Sequence, residues 1–145
     1  MTREAVAEIS SVSLDLLKTK MAEFAKERNW DRFHSPRNLL LAMVGEVGEL
    51  SEIFQWKGEV PKGLPGWEEE EKVHLGEELS DVLLYLVRLS HICGIDLGKA
   101  ALRKLQLNAI KYPAPSAAAA NNYSNTNNGA TNTEKLEQKA TSILN

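Results

Sequence analysis

Two pairs of carboxylates at helical spacing are the residues of this sequence best placed to do chemistry. Glu46 and Glu49 lie three residues apart, and Glu78 and Asp81 repeat that spacing farther along the chain. Both pairs stand next to apolar stretches, where a carboxylate carries a large free-energy cost unless a positive group joins it. No run of lysine or arginine lies near either pair in the sequence, so the pattern favours a hard divalent cation as the partner.

Carboxylate-only ligation indicates magnesium, with manganese as a possible substitute, rather than zinc. One or two such ions can stabilise the leaving oxygen of a displacement at phosphorus, and the spacing leaves their number open. The alternative is that the acids form solvated helix faces, as charged residues usually do. We apply that alternative to Glu52, Glu68–Glu71 and Glu77, but the repeated spacing and apolar flanks favour a metal site for the two pairs.

Aromatic residues occur at positions that would bring them close to the acids. Trp56 follows Glu49 by seven residues, which is two helical turns, and Tyr85 follows Asp81 by four. Trp30, after the first helix, is a third ring that could stack on a nucleobase. Ordinary core packing is the competing explanation, and for a single tryptophan taken alone it is the better one.

Several polar residues keep two interpretations at this stage. His34, which precedes Ser-Pro-Arg, fits a ligand contact and a loop residue equally well, whereas His74 and His91 are most simply solvent or packing residues. Asn108 and Lys111 share one face of the last helix and could meet phosphates or a sugar. A solvated basic face near a helix C-terminus explains that pair at least as well.

The periodicity of apolar residues predicts an all-α fold with four helices. Serine and aspartate caps, a first-turn proline and a terminal glycine set their expected ends. A loop rich in glycine and proline separates the second helix from the third, and we find no phosphate-binding glycine loop. The predicted helices run over about Ser13–Asn29, Pro36–Trp56, Glu68–Cys93 and from Asp96 to just before Pro113.

Composition narrows the class of protein. The 145 residues are 43% hydrophobic and 26% charged, as expected of a soluble globular domain, and the net charge of −3 argues against binding nucleic acid through its phosphates. The only cysteine, Cys93, excludes a disulfide framework and suits a reducing compartment. With no secretory signal and no apolar run of membrane-spanning length, we expect a cytosolic protein that binds no membrane, and a nuclear location stays open.

The chain divides into three regions by sequence. Residues 1–12 are expected to be a flexible N-terminus, 13–113 the functional domain, and 114–145 a low-complexity and largely disordered tail of Ala, Asn, Ser and Thr. The role of that tail stays open. Four short helices make a thin core, so we expect the bundle to form homo-oligomers.

Two stretches identify a family at this point. They are Gly45-Glu-Val-Gly-Glu-Leu-Ser-Glu-Ile-Phe-Gln-Trp56 and Glu77-Glu-Leu-Ser-Asp-Val-Leu-Leu-Tyr85, and Phe24–Trp30, Phe33–Leu39 and Asn108–Pro113 extend the likeness. The chain resembles the all-α nucleoside triphosphate pyrophosphatases of the MazG-like group, and within them the eukaryotic dCTP-directed members. The likeness covers about residues 13–113.

This resemblance implies a fold, a reaction and a set of site residues. It implies a four-helix bundle that assembles as a dimer or tetramer and hydrolyses the α–β phosphate bond to give a nucleoside monophosphate and pyrophosphate. The resemblance assigns Mg²⁺ to Glu46, Glu49, Glu78 and Asp81, with Glu46 or Glu49 as base. It assigns the nucleotide to Trp30, His34, Trp56, Asp81, Tyr85, Asn108 and Lys111, with Trp30 and Trp56 against the base.

Two positions depart from parts of the family. Gly45 stands where the wider group often has a further glutamate, and in this the chain is similar to the dCTP-directed branch. Met21 stands where some of those members carry a histidine against the base. Because methionine cannot donate a conventional hydrogen bond, base preference stays open.

The sequence therefore predicts a magnesium-dependent dCTP pyrophosphatase that clears dCTP, including 5-modified forms, from the nucleotide pool. A pyrophosphatase acting on dUTP or another noncanonical triphosphate is the nearest alternative, and a helical interaction module without catalysis is a further one. A di-iron bundle fits poorly, because that class uses Glu-x-x-His pairs, and Glu49 and Asp81 stand where a histidine would be needed.

Overall fold

The computed structural model describes residues 11–114, and within this range every regular element is a helix. The all-α prediction is confirmed, with helix ends that differ from the predicted ones by one or two residues. The predicted flexible N-terminus and disordered tail lie outside the described range except for residues 11, 12 and 114. The elements are α1 Leu14–Glu27, a 3₁₀ turn Asp31–Phe33, α2 Pro36–Phe54, α3 Glu69–Ile92 and α4 Leu97–Lys111.

Short-range hydrogen bonds begin the helices where the sequence predicted them. The hydroxyls of Ser13 and Ser35 accept from backbone N–H groups in the first turns of α1 and α2, at 3.1 and 3.2 Å. Asp96 does the same at the start of α4, at 3.0 Å. Gly94 follows the end of α3 with φ of 67°, a left-handed conformation in which glycine is not strained. These caps satisfy backbone groups that helix ends leave free.

Glu71 joins the start of α3 to the loop before it. One of its carboxylate oxygens accepts from the backbone N–H of Glu68 at 3.0 Å, and the other lies 2.6 Å from Nζ of Lys57. The hydrogen bond from Lys57, followed by the one from Glu68, lowers the pKa of the Glu71 carboxyl. The sequence placed Glu71 on a solvated face, whereas the structure gives it a second role in fixing the loop.

Antiparallel packing of α2 on α3 sets the relative position of the two acidic pairs. His34 contacts Arg88 at one end of the helix pair, and Lys57 contacts Glu71 at the other. The pairing therefore runs in opposite chain directions, and the middle of α2 faces the middle of α3. Helix α1 also packs on α3.

The apolar core is small. Among the described residues, the buried apolar side chains are Ala25 on α1, Leu39 on α2 and Val87 on α3. Many larger apolar residues of α2 and α3 stay exposed, among them Leu40, Leu41, Val44, Val47, Leu79 and Leu83. The thin core expected from the sequence is present.

The chain divides after Arg103 into two compact units. Helix α4 begins in the first unit and ends in the second, and both acidic pairs belong to the first. The single domain over residues 13–113 stays a prediction.

Replacing the cap of α2 tests how far local hydrogen bonding stabilises this helix. Ser35→Ala removes the acceptor for the Asn38 backbone N–H, and we expect the free energy of unfolding to fall by about 1 kcal/mol. Ser51→Ala, an exposed mid-helix position on α2, is the matched control and should be neutral or slightly stabilising. Urea unfolding followed by circular dichroism measures both. Equal losses in the two variants would contradict the capping role.

Candidate metal and nucleotide site

Three of the four predicted ligands meet between α2 and α3. Glu46, Glu49 and Glu78 each direct one carboxylate oxygen to a common point, and these oxygens lie within 4.8 Å of one another. We call these three residues the acidic cluster. Asp81 stands outside this group but close enough for its charge to raise the pKa of Glu46. The i,i+3 spacing and the antiparallel packing of the helices together produce this arrangement.

The acidic cluster has the electrostatics of a cation site. Burial raises the pKa of Glu46, and the charges of Asp81, Glu49 and Glu78 raise it further. The Glu78 side chain is only 13% exposed, and its Oε2 is buried without a hydrogen-bond partner among residues 11–114. Such an oxygen is costly unless something binds it. A cation in contact with these oxygens would offset their mutual repulsion and would give Glu78 Oε2 the partner that it lacks. An all-oxygen donor set fits a hard divalent ion.

A cavity of about 330 Å³ lies at the N-terminal part of α2, and we call it the aromatic cavity. Tyr85 connects it to the acids, because burial and then the charges of Glu46 and Asp81 raise the pKa of the Tyr85 hydroxyl. The aromatic cavity is lined by Trp30, Phe33, His34, Asn38, Leu39, Ala42 and Tyr85.

Trp30 is a wall of this cavity rather than a core residue. Its ring meets the Phe24 ring edge-on, with centroids 5.6 Å apart, and it lies 6.4 Å from the His34 ring. The residue is nevertheless 44% exposed. Core packing, the competing explanation for Trp30, does not describe this exposure. An aromatic residue in a cavity wall with this exposure suits contact with a planar ligand.

A second cavity, of about 320 Å³, includes part of the acidic cluster. Glu49 and Glu78 line it together with Lys57 and His74. Lys57 already binds Glu71 and lies 4.3 Å from the centre of the Trp67 ring. His74 Nδ1 is 3.7 Å from Glu78 Oε1, closer to the acids than its interpretation as a solvent or packing residue suggested.

Three predicted site residues are not brought to these cavities by the described structure. Helix α2 ends at Phe54, so Trp56 lies beyond the helix, and it is 87% exposed. Because the helix ends before Trp56, helix periodicity does not place Trp56 on the same face as Glu49. Asn108 and Lys111 lie in the last turns of α4, in the second compact unit. The roles of these three residues stay predictions.

Comparisons with known proteins add to this geometry. The model of the MazG nucleotide pyrophosphohydrolase domain matches residues 34–107, which include both acidic pairs. The chain belongs to the MazG family. It is 54% identical over 102 residues to human dCTP pyrophosphatase 1 and 51% identical over 104 residues to the bovine protein. These alignments cover 70% and 72% of the chain but only 60% and 62% of the relatives' own lengths.

A solved structure agrees with the fold. A pyrophosphatase from Archaeoglobus fulgidus is 31% identical, with a TM-score of 0.55 over 74% of this chain and all of that chain. Within residues 11–114, no helix combines the length and the apolar character needed to cross a bilayer.

Sequence reasoning did not find every residue around this MazG-family site. Asp31 and Lys57 received no role, although each forms an ion pair beside a cavity. Asp31 pairs with a residue 57 positions away, and Lys57 pairs with one 14 positions away. Helical spacing carries no information about contacts between separate elements, so no signal in the sequence indicated either pair.

Cation binding at the acidic cluster should be visible as thermal stabilisation. We expect Mg²⁺ or Mn²⁺, titrated separately to a concentration 100-fold above its dissociation constant, to stabilise the protein by about 2.7 kcal/mol. Glu78→Gln should abolish most of this gain, because it removes the charge of a ligand. Glu77→Gln, an exposed neighbour, is the matched control and should keep it. If neither ion raises the melting temperature of the unaltered protein, the proposed cation site is contradicted.

Proposed function

We propose that this MazG-family domain hydrolyses dCTP, including 5-modified dCTP, to dCMP and pyrophosphate in the presence of Mg²⁺, and so removes it from the nucleotide pool. The observation that carries the proposal is the acidic cluster, three carboxylate oxygens within 4.8 Å of one another beside the aromatic cavity. The relatives named dCTP pyrophosphatase 1 support the choice of substrate.

The acidic residues would hold the ion and the attacking water. Glu46, Glu49, Glu78 and Asp81 are the proposed Mg²⁺ ligands, and Mn²⁺ can substitute because it accepts the same oxygen donors. When bound, the ion supplies positive charge that offsets the negative charge of the triphosphate and of the leaving pyrophosphate. Burial and then the charges of Asp81, Glu49 and Glu78 raise the pKa of Glu46, and a bound cation would offset those charges.

Glu46 or Glu49 is the proposed general base. The carboxylate takes a proton from the water as the water oxygen forms a bond to the α-phosphorus. The bond between the α-phosphorus and the bridging oxygen breaks, and pyrophosphate leaves with that oxygen. Both glutamates stand on α2 one turn apart, so their positions on the helix do not choose between them.

The aromatic cavity is the proposed place of the base. Trp30 offers a partly exposed aromatic side chain, and His34 and Tyr85 add polar atoms to the cavity wall. Trp56, Asn108 and Lys111 complete the proposed nucleotide contacts, on the strength of the family motif alone. Met21, on α1, is a half-buried residue that provides no hydrogen bond to a base.

Product analysis tests the reaction. Incubation of the purified protein with dCTP and Mg²⁺ should give dCMP and pyrophosphate, and Glu49→Gln should lower kcat by at least about 100-fold, as expected when a general base is lost. Glu77→Gln, with equal loss of charge on α3, should retain activity. Release of orthophosphate and dCDP would contradict the proposal.

A panel of dUTP, dTTP, dATP and ITP tests the substrate separately. If dUTP or ITP is turned over faster than dCTP, the nearest alternative is the better account of the substrate, and the proposed reaction stays the same. Absence of turnover with every triphosphate would favour the helical interaction module.

We further propose that the domain works as a homo-oligomer, a dimer or a tetramer. Val44 and Val47 on α2 and Leu79 and Leu83 on α3 are exposed in the single chain. Val44 and Val47 are i,i+3 neighbours and Leu79 and Leu83 are i,i+4 neighbours, and an apolar patch on a soluble domain is usually covered by a partner. A second copy of the same chain is the proposed cover, in line with the thin core.

Introducing a charge on this surface tests the assembly. Val44→Asp should lower the molecular mass measured by light scattering after size exclusion, because burying an unpaired carboxylate in an apolar interface is unfavourable. Val12→Asp is the control, since Val12 is equally exposed but precedes α1. A monomeric mass for the unaltered protein would contradict the proposal.

The proposed location is the cytosol, with the nucleus as an alternative. Cys93 is a free and exposed thiol, which is typical of a reducing compartment. A dNTP-hydrolysing enzyme would meet its substrate in either place.

A further inference from the structure

Arg88 forms an unusual set of contacts at the edge of the aromatic cavity. It lies on α3 one turn after Tyr85, and its side chain is only 4% exposed. Its Nε donates to Nδ1 of His34 at 3.0 Å, and its Nη2 donates to Oδ1 of Asp31. Its Nη1 lies 3.4 Å from Nδ1 of His91. The buried guanidinium thus has its charge paired and each of its nitrogens engaged.

The contact with Arg88 dictates the protonation of His34. A guanidinium has only donors, so the ring nitrogen facing Nε must carry no hydrogen and act as the acceptor. A flipped ring would present Cδ2 instead of Nδ1 to Arg88 and would lose the hydrogen bond, so this contact also fixes the orientation of the ring. A neutral imidazole then carries its proton on the other nitrogen, which is Nε2 in this structure. A doubly protonated ring would lose the hydrogen bond.

The charges around His34 agree with a neutral ring. Burial lowers the pKa of His34, the positive charge of Arg88 lowers it further, and Asp31 opposes both. Asp31 comes from the 3₁₀ turn, and Arg88 comes from α3, together with Tyr85, which shares the cavity. The net effect favours the uncharged form.

His34 is the group through which Arg88 can act on a ligand. The His34 ring forms part of the aromatic cavity wall with Trp30 and Tyr85. Its Nε2 has no hydrogen-bond partner in the part of the chain that the structure describes. An Nε2–H there is a donor without an acceptor, next to rings that suit a planar ligand.

We propose that Arg88 is a positioning residue that holds His34 as the neutral Nε2–H tautomer, so that His34 donates a hydrogen bond to a carbonyl or ring-nitrogen acceptor of the bound nucleobase. The identity of the ligand rests on the proposed function. The arrangement assigns His34 to recognition of an uncharged planar ring, rather than to metal ligation through Nδ1 or to pairing with phosphate as a cation.

The tautomer can be measured without substrate. The chain has three histidines, so long-range proton–nitrogen correlation spectra of the ¹⁵N-labelled protein can be assigned, with His34→Phe identifying the His34 signals. We expect Nε2–H and an unprotonated Nδ1 for His34 at neutral pH. A ring protonated on both nitrogens there, or one with its proton on Nδ1, would overturn the proposal.

Removal of Arg88 should release this constraint. Arg88→Met should mix the two tautomers of His34 and raise its pKa, because the positive charge is lost while Asp31 stays. Arg88→Lys keeps a charged donor and should preserve the Nε2–H form to a greater extent. His74 does not contact Arg88, so its signals are the internal control and should not change. An unchanged His34 tautomer in a folded Arg88→Met protein would contradict the role.

Steady-state kinetics with dCTP and Mg²⁺ test the consequence for binding. Arg88→Met and His34→Phe should each raise KM by about three- to tenfold, the value of one hydrogen bond, with kcat nearly unchanged. The double variant should be no worse than the worse single one, because both act through one contact. If His34→Phe raises KM for dCTP but Arg88→Met leaves KM unchanged, the proposal is overturned.

The outcomes separate this proposal from the proposed function. If the unaltered protein turns over no dCTP, the proposed function fails, while the spectra still decide whether Arg88 fixes His34. If Arg88→Met does not fold, the tautomer of the unaltered protein and the Arg88→Lys spectra decide instead. Asp31→Asn leaves the contact between Arg88 Nε and His34 in place. It should keep His34 as the Nε2–H tautomer, and that result would support the proposal.

Discussion

Mutual repulsion among the carboxylates between α2 and α3 is the constraint on which the rest of this structure depends. Packing of the two helices brings three carboxylate oxygens within 4.8 Å of one another and leaves one oxygen of Glu78 buried without a partner among the residues that the structure describes. The two helices must therefore stay packed although the carboxylates between them repel one another. Ion pairs hold them at both ends, Lys57 with Glu71 at one and Arg88 with Asp31 at the other. Each of these two cations already binds an anion, so neither offers free positive charge to the acids at the centre, and the proposed divalent ion would supply it.

The same geometry links the acids to the aromatic cavity. Tyr85 follows Asp81 by one turn of α3, and its hydroxyl senses the charges of Glu46 and Asp81 through its raised pKa. Arg88 follows Tyr85 by a further turn and contacts His34 across the helix pair. One face of α3 thus passes from the acids to the wall of the aromatic cavity. The proposed substrate follows the same order, because a nucleotide has a polyanion at one end and a planar ring at the other.

Local rules account for the parts of the fold that the sequence predicted correctly. Ser13, Asp96 and Gly94 act within one turn of their own positions, so their capping roles follow from sequence spacing. The acidic pairs were equally predictable, because residues three apart on a helix are neighbours. The convergence of three of these four acids depends in addition on the antiparallel packing of α2 on α3.

Contacts between elements account for what the sequence did not reveal. Arg88 lies one turn after Tyr85 on α3, but its partners Asp31 and His34 are more than 50 residues away in the sequence. The 3₁₀ turn that carries Asp31 is too short to produce a periodic pattern. Trp56 shows the opposite error, since its i+7 spacing from Glu49 held in sequence while the helix ended at Phe54. A prediction from periodicity alone can extend a helix beyond the residue at which capping and loop contacts end it.

Exposure of Trp56 and of the apolar residues on α2 and α3 has one physical consequence for the site. The helices that carry the acidic cluster also carry Val44, Val47 and Leu83 on their exposed surface. Covering that surface buries apolar area and rigidifies the two helices whose spacing sets the distances between the carboxylates. Because those carboxylates repel one another, a rigid support lowers the free energy needed to keep them in place before an ion binds. In the proposed homo-oligomer, assembly and cation affinity would therefore be coupled through the α2–α3 pair, and a variant that weakens one should weaken the other.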